Sequence, residues 1–203
     1  MPVTDRAMIG AAAVSILCEA DAQSLTMTNV AKRLGVRSQT LYHHVRSVSD
    51  IIDAARAVLI GQIDLECLDE AVPLAEGFTA FAVRYAEVFQ PLAGNIWEFF
   101  RHPITDATTI AMYERLLARA LASGLSDARA LTLILDVEYA IFMGVFEHAS
   151  LQSILAPELL EERGATALAR AIRASGSATA VGLRARLAER IEELVAHAEA
   201  ASR

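Results

Sequence analysis

Arg37, Ser38, Gln39, Thr40, Tyr42 and His43 follow one another almost without interruption, a concentration of hydrogen-bonding side chains for which a protein core has no use. Each type has a use against nucleic acid. Gln39 and Ser38 offer donors and acceptors to base edges, Thr40 its methyl to a thymine or its hydroxyl to a phosphate, and Arg37 a pairing with guanine or phosphate. Thr26, Thr28, Tyr42, His44 and Arg46 flank the set and suit phosphate oxygens, as do the first-turn amides of any helix that begins here. His43 and His44, adjacent on a helix, point about 100° apart and serve different faces. Tyr42 has the alternative of packing against the first helix.

Charge supports the same chemistry only locally. The 203-residue chain carries a net charge of −7, which taken alone argues against a polyanionic partner. Residues 1–50 nevertheless hold five basic side chains (Arg6, Lys32, Arg33, Arg37, Arg46) against four acids, leaving −8 for the remainder, and residues 26–46 contain no acid at all. A short acid-free basic window on an acidic protein is the expected footprint of a small reading face attached to a larger domain with other business.

The elements that must position these residues are helices. No strand-like alternation persists, and the helical period predicts helices near 5–20, 28–34, 38–45, 48–67, 74–91, 94–101, 106–122, 127–150, 158–174 and 178–200. Thr26 can cap the second helix, Val30, Ala31 and Leu34 give it one buried face, and Gly35 stops it. Leu41 and Val45, four apart, hold the third helix against the first two. Ser47-Val48-Ser49-Asp50 reads as a capping box opening a long fourth helix. Two short helices joined by a glycine-containing turn, with a supporting helix before them, form a helix-turn-helix whose second member enters the major groove.

The stretch Leu25-Thr26-Met27-Thr28-Asn29-Val30-Ala31-Lys32-Arg33-Leu34-Gly35-Val36, followed by Gln39-Thr40-Leu41-Tyr42-His43-His44-Val45, resembles the DNA-binding region of the tetracycline-repressor (TetR) family. The resemblance covers about a quarter of the chain. It implies an all-α protein with an N-terminal three-helix helix-turn-helix DNA-binding domain over 1–50. A linking helix and a C-terminal effector-binding and dimerisation domain would then occupy 51–203; the sequence itself places the boundary between domains at Asp69 to Pro73. The function it implies is a cytoplasmic, homodimeric regulator, a repressor released from a palindromic double-stranded operator by a small, mostly apolar effector. The lysine that the family usually places just before the fourth helix is Val48 here, leaving Arg46 as the nearest cation.

Beyond residue 73 the pattern is apolar and aromatic. Leu131, Leu135, Tyr139, Phe142 and Phe146, and Leu187, Ile191, Leu194 and Ala198, keep helical spacing and suit a two-fold four-helix interface or, alternatively, an intramolecular core. Trp97, Phe99, Phe100, Met112, Tyr113, Phe142, Met143 and Phe146 are candidates for an apolar cavity, with His102 and Tyr139 the foremost of its sparse polar groups. His102 and Glu147 loosely resemble the metal-binding positions of the tetracycline-repressor branch, but one histidine and one glutamate make no metal site, and no cofactor is expected.

Other classes lack their signatures. There is no HExxH, no GxSxG, no glycine-rich phosphate loop and no paired Glu-x-x-His, so an enzyme is not expected. Cys18 and Cys67, far apart, read as reduced, buried thiols. The apolar run from Ala7 to Cys18 imitates a secretion signal, yet Ile9, Ala13, Ile16, Leu17 and Ala20 fall on one stripe of a packed helix, and no run is long enough to span a membrane. The competing reading is a helical small-molecule-binding dimer with a weakened DNA reader.

Overall fold

A computed structural model describes residues 4–174 and 180–200, and among them there are ten α-helices, shorter 3-10 segments and no strand. The helices are α1 (Arg6–Glu19), α2 (Met27–Leu34), α3 (Ser38–Leu41), α4 (Val48–Ile60) and α5 (Leu74–Phe89). They continue with α6 (Ala107–Ala122), α7 (Asp127–Ile154), α8 (Pro157–Glu162), α9 (Thr166–Ala174) and α10 (Ala180–Ala200). The chain divides into two compact units: the described residues up to Ile63 with Gly94–Glu114, and Asp64–Ala93 with the described residues from Arg115 onward.

The first unit is built on α1 and α4. Ile9, Ala13, Ile16 and Leu17 of α1 and Ile51, Ile52, Ala55 and Leu59 of α4 are all buried, the stripe of a packed helix. The two helices approach so closely at Gly10 that a Cβ there would lie 2.3 Å from the Ala54 carbonyl oxygen. Asp5 caps α1 by accepting the Met8 amide at 2.7 Å.

The turn between α2 and α3 depends on Gly35. Its φ of +67° is the left-handed conformation, and the Val36 amide reaches back to the Ala31 carbonyl at 3.0 Å, closing the helix end. No atom would crowd a Cβ at Gly35. Gly35→Ala is therefore expected to cost only the backbone term, about 1–2 kcal/mol, read as a lower urea midpoint at an unchanged slope.

The second unit packs α5, α7 and α10 together, with α8 on α9. Phe78, Phe81, Tyr85 and Phe89 line the buried face of α5, and Phe142 of α7 meets Tyr85 and Phe89 edge-on, at centroid separations of 5.5 and 5.8 Å. Leu187 and Ile191 of α10, suited by their spacing to an interface or to an intramolecular core, are buried inside this bundle at 3% and 0% exposure.

Several boundaries differ from the sequence pattern for local reasons. The fourth helix stops at Ile60 rather than 67, at the Gly61 cap, and a separate 3-10 turn (Glu66–Leu68) follows it. The segment foreseen as a helix over 94–101 is a 3-10 run over Gln90–Phe100. The helix foreseen over 158–174 is α8 and α9, separated by a turn in which Gly164 and Ala165 donate to the Glu161 and Leu160 carbonyls. Part of the helix expected over 178–200 lies outside the described residues. The cysteines are free but not buried: Cys18 is exposed on the outer face of α1 and Cys67 is half-buried. Partial burial and the neighbouring Glu19 charge push the Cys18 thiol up, so it stays protonated at neutral pH. No helix among the described residues is long and apolar enough to cross a membrane.

Candidate nucleic-acid interface

Thr26 caps α2 by accepting the Asn29 amide at 3.1 Å, and the Asn29 side chain donates to the Ser24 carbonyl at 2.7 Å. Val30, Ala31, Leu41 and Val45 are buried and fix α2 and α3 to the unit. The helix of α3 is shorter than its apolar spacing suggested. The amides of His44 and Val45 both bond to the Leu41 carbonyl, so residues 42–44 form a turn that still delivers Val45 to the core.

With Leu41 and Val45 turned inward, the remaining side chains lie outside. Thr26, Thr28, Arg37, Gln39, Tyr42, His43, His44 and Arg46 are exposed, and Ser38 and Thr40 are half-buried. Tyr42, at 56% exposure, is not spent on packing against α1. The ten candidate residues thus lie between Thr26 and Arg46, on α2, on α3 and in the turns beside them, eight of them exposed and two half-buried, with the Thr26 hydroxyl engaged as a cap.

The charges sort themselves further than the sequence revealed. Arg33 lies against Glu19 through two hydrogen bonds of 2.8 and 2.6 Å, so it tethers α2 to α1 instead of serving the exposed face. Hydrogen bonds from Arg33, then from Ser15, hold the Glu19 carboxyl down at about 2. Its stabilising contribution is present above the ordinary 4.5 and is lost only as pH falls toward 2. Arg6 is likewise engaged, with Asp53 at 2.9 Å. Lys32, Arg37 and Arg46 take part in no ion pair among the described residues, which leaves them as the cations of the exposed face. Arg46 contributes its amide to Asp50 at 2.6 Å, while the Ser47 hydroxyl accepts the Asp50 amide at 3.2 Å to cap α4. Val48 begins α4 without disturbing it.

A buried network joins α4 to residues 99–106, and sequence reasoning missed it. Asp53 and Arg56 of α4 pair at 2.9 Å with side chains 3% and 4% exposed. Arg56 also donates to the carbonyls of Phe99, His102 and Pro103 at 2.9, 3.1 and 3.3 Å. Asp53 accepts the Thr105 amide and hydroxyl and the Asp106 amide. Burial alone would push the Asp53 carboxyl up, but the Thr105 bonds, the Arg56 charge and the Asp106 amide outweigh it and hold it below the usual carboxylate range. The only sequence signal was an acid and a base three apart on a helix otherwise apolar on that face.

The cavity candidates fall in both units. Trp97, Phe100, His102, Met112 and Tyr113 belong to the first, where Trp97 and Phe100 are exposed with rings 5.7 Å apart and Met112 is buried. Tyr139, Phe142, Met143 and Phe146 belong to the second, where Phe142 is core. Tyr139 and Met143 line a groove of about 620 Å³ between α7 and α10, together with Asp136, Glu147, Leu183, Arg186 and Leu187. The exposed stripe on α7 is Leu131, Leu135, Tyr139 and Met143, each more than a third exposed. It departs from the foreseen set because Phe142 faces α5. His102 and Glu147 lie in different units, and among the described residues no group of three or more His, Cys, Asp or Glu could hold a metal ion.

No family model and no curated protein sequence matches the chain significantly. Solved structures do. A possible TetR family transcriptional regulator from Streptomyces coelicolor A3(2) matches with a TM-score of 0.77 at 17% identity, over 97% of this chain and 100% of that one. The S. coelicolor TetR family protein ActR in complex with actinorhodin matches with a TM-score of 0.74 at 17% identity, over 98% and 97%. A TetR variant from Acinetobacter baumannii AYE in complex with minocycline matches with a TM-score of 0.71 at 18% identity, over 99% of both chains. Over nearly its whole length, the chain has the all-α fold of the TetR-type regulators.

Proposed function

We propose that the protein is a homodimeric, ligand-responsive DNA-binding regulator, with the exposed face of α3 as its reader and repression of a palindromic operator as its default action. The observation that carries this reading is that Leu41 and Val45 are consumed by the core while Arg37, Gln39, Tyr42 and His43, in a stretch of chain without acids, are left in solvent. A helix fixed on one side and polar on the other is what major-groove recognition requires. Dimerisation is supported by the stripe Leu131, Leu135, Tyr139 and Met143, an apolar row that a lone bundle has no reason to expose. Two readers related by a two-fold axis would meet half-sites about 34–36 Å apart. A small effector is supported by the named ligand complexes of two structures sharing the fold. We place the reader in residues 1–50, the linking helix and effector domain in 51–203, and the protein in the cytoplasm, without enzymatic activity.

The test is selection of genomic fragments on the immobilised full-length protein, with Gln39→Ala beside it. The regulator enriches one short palindrome, and Gln39→Ala binds it about 5–150-fold more weakly, the loss of one base contact worth 1–3 kcal/mol. Equal recovery of random fragments by both proteins would favour the small-molecule-binding dimer with a weakened reader.

A further inference from the structure

The segment from Asn95 to Asp106 is tied to the helices of the first unit by side chains at two separate places. At one end, Asn95 reaches back to the junction between α1 and α2. Its amide nitrogen donates to the Leu17 and Ala20 carbonyls at 2.7 and 2.9 Å, and its oxygen accepts the Ala22 amide at 2.9 Å. Leu17 and Ala20 lie at the C-terminal end of α1, where carbonyls lack intrahelical partners, so Asn95 caps that helix from a distant part of the chain. At the other end, Arg56 holds the carbonyls of Phe99, His102 and Pro103, and Asp53 holds the amides of Thr105 and Asp106 just before α6. Between the two ties, Ile96 and Phe99 are buried.

We propose that residues 95–106 form a strap that positions the DNA reader, with Asn95 as a positioning residue acting directly on the α1–α2 junction, independently of the tie to α4. A displacement of the strap is delivered to the reader at two points, and the tie at Asn95 bypasses α4. The consequence for operator affinity rests on the regulator reading. The mechanical coupling does not.

The experiment needs neither DNA nor effector. Trp97 is the single tryptophan of the chain and lies two residues from Asn95, and Cys18 is exposed beside Leu17. In a Cys67→Ser background, time-resolved energy transfer from Trp97 to an AEDANS label on Cys18 reads the distance between strap and reader. The wild-type side chain at 95 gives one narrow distribution. Asn95→Ala broadens it with helicity unchanged, and Asn95→Asp, which keeps the oxygen acceptor for Ala22, recovers part of the narrowing. Hydrogen exchange on the full chain supplies the second readout. Leu41→Val speeds exchange in 95–106 by the same factor as in α1–α3 and leaves α5, α7 and α10 unchanged, and Asn95→Ala speeds exchange at Ala22 by about tenfold. An unchanged distance distribution in Asn95→Ala, or exchange in 95–106 that ignores Leu41→Val and follows Phe89→Ala in the second unit, overturns the proposal. Neither result depends on whether the protein binds DNA.

Discussion

Asp53→Ala is expected to destabilise the first unit by about 3–5 kcal/mol, the usual cost of removing one partner of a buried ion pair. The substitution leaves the Arg56 guanidinium 4% exposed with no compensating charge. It also strands the amides of Thr105 and Asp106 and the Thr105 hydroxyl, which have Asp53 as their acceptor. Urea unfolding of the full chain followed at Trp97, which lies in the same unit, checks this directly. Replacing the pair together, as Asp53→Ala with Arg56→Met, removes the stranded charge and recovers part of the loss. Recovery stays incomplete because the Phe99, His102 and Pro103 carbonyls lose their donor. A midpoint unchanged in Asp53→Ala would mean that the network is not closed as described. Because the folded-state pKa of Asp53 is depressed, its contribution is fully present above the ordinary carboxylate value of 3.8 and disappears as pH falls below it.

The second large effect is on assembly. Tyr139→Glu is expected to weaken self-association by at least about 30-fold, corresponding to the 2 kcal/mol or more that marks an interface anchor. Tyr139 is 59% exposed in the protomer, so the substitution leaves the bundle intact, and helicity and thermal midpoint of the dissociated protein serve as controls. It places a carboxylate in the middle of the row formed by Leu131, Leu135 and Met143, beside Asp136. Sedimentation velocity across a concentration series reads the shift from dimer to monomer. Loss of operator binding in the same variant, with α3 untouched, would tie reading to dimerisation. A protein that is monomeric before the substitution would remove the dimer from the account.

The parts legible in the sequence are those whose signals are local. Thr26, Gly35 and Ser47 act on their immediate neighbours as caps and stop, so the helix-turn-helix and the identity of its exposed side chains could be read within a few residues. The limits of α3 could not, because Leu41 and Val45 keep helical spacing whether the chain between them is helix or turn. The strap was invisible for a different reason. Asn95 and Asp53 find partners roughly half a hundred or more positions away, and nothing in their flanking residues announces it. The stripe on α7 was read with Phe142 and Phe146 in place of Met143, since with apolar residues on more than one side of the helix, spacing cannot say which side meets α5. The cavity candidates suffered most. Aromatic type alone does not separate Phe142, which fills a core, from Trp97, which stands in solvent.

Fluorescence anisotropy with the intergenic DNA flanking the protein's own reading frame decides whether α3 reads DNA. Saturable binding at one dimer per palindrome is expected. The affinity falls by at least about a hundredfold as salt rises from about 50 to 200 mM, the effect of neutralising some four phosphates. Leu41→Arg, which drives a charge into the buried side of α3, abolishes that binding. Binding no tighter than to random duplex, or full affinity retained by Leu41→Arg, contradicts that role for α3.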